Sequence, residues 1–158
     1  MKKSLRVLVV EDSSHHVESA KRLLARKANM DFVGNYKDFL RKTWETSFPY
    51  DGVLSDVFFP ADDKYHKGYN VPAGVGVFAI CQKLNIPCVL VTAGHHHGKD
   101  YEWVSMTIGG LIGDDGIYPL VDVPRDGMIG TGELDGEKPE KGWIKGLEAL
   151  SDIIRSQG

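Results

Sequence analysis

Five short apolar runs, each followed by a segment of helical period, constrain this chain more than any other feature. LRVLVV (Leu5 to Val10) is β-branched and too short for a buried helix, so it reads as a central strand. Ser13 or Ser14 then offers an N-cap, and Val17, Ala20, Leu23, Leu24 and Ala28 recur along one helix face. MDFVG (30–34) is a second strand, and KDFLRKTWETSF (37–48) a second helix on Phe39, Leu40, Thr43 and Trp44 that Pro49 closes. GVLSDVF (52–58), AGVGVFAICQKL (73–84) and IPCVLVTAG (86–94) supply strand three, helix three and strand four. KDYEWVSMTIGG (99–110), GIYPLVDV (116–123) and KGWIKGLEALSDIIRS (141–156) complete the alternation. Repeated βα units with runs apolar on both faces predict an α/β fold, a parallel five-stranded sheet covered by helices on both sides.

Two polar stretches break the rhythm, at about 61–72 (ADDKYHKGYNVP) and 124–140 (PRDGMIGTGELDGEKPE). Both exceed ordinary connections and read as functional loops or insertions, although long excursions also cost little loop entropy. With 158 residues, 42% of them hydrophobic, the chain fits one domain, residues 1–158. Scattered basic residues and a net charge of -3 leave no electrostatic footprint for nucleic acid or an anionic membrane. No stretch approaches the ~20 apolar residues that span a bilayer, and the first apolar run meets Glu11 and Asp12 too early for a signal peptide. Cys81 and Cys88 are too few for a disulfide framework and lie in core-like segments, as expected of a cytoplasmic protein.

In a doubly wound sheet, ligands bind outside the carboxyl ends of the strands. Strand one ends in Glu11 and Asp12, strand three runs into Asp56, and strand four reaches Thr92. Three converging acids repel one another unless a cation intervenes, and oxygen-only ligands suit Mg²⁺. Taken alone, Asp12 could equally be a helix cap, Asp56 a solvated strand end, and Thr92 a β-propensity choice.

Three stretches in register resemble the receiver domain of two-component response regulators. VLVVEDS is similar to its acidic pair, VLSDVFFP to its phosphoacceptor with a proline four residues on, and PCVLVTAG to its hydroxyl position followed by alanine. The resemblance covers Leu5 to Gly94 and implies a stand-alone receiver with strand order 2-1-3-4-5. By it, Asp56 takes a phosphoryl group from the phosphohistidine of a histidine kinase or phosphotransfer protein. Asp12 binds Mg²⁺ directly, Glu11 through water, and the Phe58 main-chain carbonyl adds a ligand. Thr92 contacts the phosphoryl, Tyr118 is the aromatic switch, and a downstream protein target reads the altered face.

The family's strand five normally ends in Lys-Pro, and GIYPLVDV has no such lysine. Lys138, in Lys138-Pro139 ahead of the last helix, is the first choice of replacement, and Lys141 the alternative. Two rivals belong to other classes: a receiver-derived binding module that is never phosphorylated, and a Mg²⁺-dependent phosphohydrolase. The second normally wants an acid two residues after Asp56, where Phe58 stands. His95 to His97 read as a loop, since adjacent imidazoles diverge, and His15 and His16 as surface residues of helix one. Gly74 and Gly76 lack the spacing of a nucleotide fingerprint.

Overall fold

A computed structural model describes residues 4–63, 71–92, 102–112, 120–121 and 141–158. Its elements are β1 (Leu5–Val10), α1 (Ser14–Leu24), β2 (Ala28–Val33), α2 (Tyr36–Trp44) and β3 (Gly52–Ser55). They continue with α3 (Ala73–Lys83), β4 (Cys88–Val91), α4 (Glu102–Ile112), β5 (Leu120–Val121) and α5 (Trp143–Gln157). The five strands form one sheet in the order β2-β1-β3-β4-β5, and every pair is parallel. No helix among the described residues is long and apolar enough to cross a membrane.

Successive strand residues point to opposite faces, and the core divides accordingly. Leu8, Val10, Val53 and Leu90 pack with Phe39 of α2, Val77, Phe78 and Cys81 of α3, and Val104 and Ile108 of α4. Val7, Val9, Leu54, Val89 and Val91 pack on the other side with Ala20 and Leu24 of α1 and Trp143, Leu147 and Leu150 of α5. Each of these strand residues is fully buried. At about 25 cal/mol per Å² of apolar area, this two-sided burial is the main force holding the helices to the sheet.

Register sets where the acids emerge. Val10 of β1 pairs with Ser55 of β3, so the two strands end level and the next residues are Glu11 and Asp56. Strand three stops three residues short of the expected Phe58. The cause is local: the Asp56 N–H still donates to the Val10 carbonyl at 2.9 Å, but its Oδ1 accepts from the Val57 N–H at 2.7 Å. A side chain that captures the next amide offers the backbone an alternative to the ladder, and the chain turns. The second helix begins at Tyr36, because Asn35 caps it by accepting from the Asp38 N–H at 2.8 Å. It ends at Trp44, where Glu45 is already extended, ahead of the expected Phe48.

Candidate functional site

The site lies past the carboxyl ends of β1, β3 and β4. Glu11 is tied to β2 by its N–H, which donates to the Val33 carbonyl at 2.9 Å, and its Oε1 accepts from the Ser13 N–H at 3.0 Å. One carboxylate oxygen from each of Glu11, Asp12 and Asp56 falls within 4.8 Å of the others. Glu11 is 2% exposed and Asp56 8%, whereas Asp12 faces solvent.

The cation placed among these acids is Lys141, 3% exposed, two residues ahead of α5. Its Nζ donates to Glu11 Oε2 and lies 3.0 Å from Asp56 Oδ1. Lys141 is the second of the two lysines considered from the sequence; Lys138, Tyr118 and His95 to His97 lie outside the described residues. Both Asp56 contacts therefore fall on Oδ1, which leaves Oδ2 without a partner among the described residues.

Electrostatics follow from burial and crowding. Desolvation lifts the Glu11 carboxyl from 4.5 up to about 7; Lys141 pulls it down and Asp56 pushes it up. Burial, then the neighbouring Asp56, raises the Asp12 carboxyl as well. Three carboxylates against one ammonium leave an excess of negative charge, and the donors are all oxygens. That donor chemistry fits a hard divalent cation, with Asp12 and the second oxygen of Asp56 open to it.

Thr92 stands one residue past β4, 1% exposed, and its Oγ1 has no hydrogen-bond partner among the described residues. A buried hydroxyl left unpaired costs about 1–3 kcal/mol, so its retention calls for an explanation. Phe58 sits in the turn after Asp56 and packs its half-buried ring against the α2/α3 side of the core.

Sequence reasoning missed two shaping residues. Gly74, in the first turn of α3, donates its N–H to the Val57 carbonyl at 2.9 Å. A Cβ there would overlap the Asp56 carbonyl oxygen and come within 2.7 Å of Val57 Cα, so only glycine lets α3 press on the Asp56 turn. Gly146 likewise lets the first turn of α5 approach β4, where a Cβ would lie 2.7 Å from Val91 Cγ2. The only signal was the position of each glycine in a helical pattern, which by itself does not separate close packing from tolerance.

No known family model matches the sequence, and no curated protein matches it either. Solved structures do. The chain superposes on the signal receiver domain of an HD domain-containing protein from Pseudomonas fluorescens with a TM-score of 0.60 at 14% identity, covering 98% of both chains. It superposes on the receiver domain of a Francisella response regulator with a TM-score of 0.59 at 14% identity, covering 98% of this chain and 100% of that one. A CheY-like receiver domain protein from Methanospirillum hungatei gives 0.58 at 17% identity, covering 99% and 100%. Strand order, helix placement and these superpositions agree that the fold is that of the response-regulator receiver domain.

Proposed function

We propose that this chain works as a response-regulator receiver in the cytoplasm, taking a phosphoryl group on Asp56 and switching a protein-interaction face. The observation that carries the reading is the meeting of Glu11, Asp12 and Asp56 around one edge, with the Lys141 ammonium on two of them. Asp56 Oδ2 is the attacking oxygen: a P–O bond forms, the P–N bond of a phosphohistidine donor breaks, and the imidazole keeps the electron pair and takes up a proton. Asp12, Asp56 and the Phe58 main-chain carbonyl would hold Mg²⁺ directly, and Glu11 through water. When bound, the ion supplies neutralisation of the charge on the phosphoryl oxygens.

The Lys141 ammonium contacts the phosphoryl, in the role that Lys138 was first expected to fill. The unpaired Thr92 hydroxyl donates to it, satisfying the orphaned group and drawing the end of β4 inward. Tyr118, the expected aromatic reporter of that movement, remains part of the proposal. A histidine kinase or phosphotransfer protein supplies the phosphoryl, and a protein target reads the result. Buried free thiols at Cys81 and Cys88 are consistent with a reducing compartment.

Incubation with Mg²⁺ and acetyl phosphate, followed by intact mass measurement, tests the reading. Wild type should gain one acid-labile phosphoryl and Asp56→Asn none. An unmodified wild type would leave the non-phosphorylated binding module standing, and rapid turnover of phosphomonoesters would favour the hydrolase.

A further inference from the structure

Lys141 reaches the acids from the segment that leads into α5, and one neighbour explains how it is held. Its Nζ lies 5.7 Å from the centroid of the Trp143 ring, within the range at which an ammonium is attracted to an aromatic face. The Trp143 main-chain N–H donates to the Lys141 carbonyl at 2.8 Å, and the Gly146 N–H to the Gly142 carbonyl at 2.8 Å, so the approach to α5 is a short, closed turn. The turn is seated from both ends. Trp143 is fully buried among the apolar residues of the α1/α5 side, and Gly146 rests on Val91 of β4.

The indole is an odd choice for packing alone. Its Nε1 is buried and has no hydrogen-bond partner among the described residues, a penalty that Phe or Leu in the same core position would avoid. What the indole offers beyond those side chains is the strongest cation-binding face of the natural aromatics, and Lys141 is the cation over it. A lysine stem free to rotate loses considerable entropy when its head is fixed, and a ring behind the head limits where it can go.

We infer that Trp143 is a positioning residue, its ring face holding the Lys141 ammonium on Glu11 and Asp56. The inference rests on the site assignment above, but its geometry involves neither a metal nor a phosphoryl group. Removing the ring loosens the ammonium's hold on the carboxylates, and a lysine that leaves them more often competes less with a divalent cation for their oxygens.

The first measurement needs no metal and no donor. In ¹H–¹⁵N spectra of the folded, full-length chain, the Lys141 ammonium should give a resolved signal, assigned by its loss in Lys141→Met. It should persist in Trp143→Phe and disappear in Trp143→Leu. Trp143→Met serves as the second ring-free variant if the leucine variant does not fold. Persistence of the signal in either folded ring-free variant overturns the inference.

The second measurement is a double-mutant cycle read as Mg²⁺ affinity. Lys141→Met should tighten Mg²⁺ binding about tenfold by removing a nearby like charge, and Trp143→Leu about threefold. The double variant should match Lys141→Met alone. A purely structural role would instead give additive changes and overturn the proposal. Failure of wild type to accept phosphoryl on Asp56 would sink the proposed function and leave both measurements intact.

Discussion

Two clusters in this molecule are built from the same ingredients, a carboxylate beside a cation, and respond in opposite directions. In the buried one, Glu11 and Asp56 share Lys141, and the Glu11 carboxyl is pushed up to about 7. In the other, half-exposed at β1 and β2, Asp31 Oδ2 accepts from Arg6 Nη2 at 3.0 Å and from the Tyr50 hydroxyl at 2.9 Å. There the hydrogen bonds from Arg6 and Tyr50 lower the Asp31 carboxyl, while burial first, and then the bond to Asp31, raises the Tyr50 phenol to about 12. Burial decides the sign. With water at hand, a cation beside a carboxylate favours the charged form; with water excluded and a second acid close by, desolvation outweighs the same partner. The exposed cluster suits the fold, and the buried one holds its acids against their solvation, the arrangement expected where chemistry is done.

The sharpest way to break this contrast is to remove each cation. Lys141→Met at pH 8 without divalent ions should cost about 3 kcal/mol in urea unfolding, since it strands buried carboxylates. Arg6→Met should cost less than about 1 kcal/mol, because its partner remains in water. The Lys141→Met deficit should shrink at pH 5, where Glu11 carries its proton. Equal costs for the two variants would mean that burial does not separate the clusters.

Opposite pH slopes offer a finer test. A carboxyl raised in the folded state favours folding below its ordinary value of 4.5, and that advantage disappears as pH rises through about 7. Wild type in EDTA should therefore lose stability across that window, and Glu11→Gln or added Mg²⁺ should flatten the decline. The smallest expected effect concerns Asp31, whose lowered carboxyl contributes stability above 3.8 that is lost as pH falls below it. Asp31→Asn should remove that acid slope, by less than about 0.5 kcal/mol given how exposed the pair is.

What the sequence disclosed follows the same division between local and distant causes. The strands were legible because Val7 to Val10 and Val89 to Val91 are apolar on both faces, a pattern that few other structures use. The acids were legible because they follow strand ends directly, where parallel register brings neighbours level. The true end of β3 was not, since it depends on Asp56 Oδ1 taking the Val57 amide in place of a ladder bond. Lys141 was visible only as one of two alternatives, because its reach depends on the turn at Gly142 and the seating of Trp143 some 130 positions from Glu11. Gly74 was set aside as a failed nucleotide motif, and its meaning lies in a backbone that arrives from another part of the chain.

The bridge at the base of the first inserted stretch carries a last consequence. Phe59 and Val71 exchange two backbone bonds of 3.2 Å, and the Pro60 and Ala61 carbonyls accept from the Tyr36 and Lys37 N–H groups at the start of α2. These bonds fix both ends of the stretch and fasten one of them to a helix, and lengthening the chain between fixed ends adds little entropy cost. The length of chain between Pro60 and Val71 can thereby change while the backbone that leads out of Asp56 stays where it is.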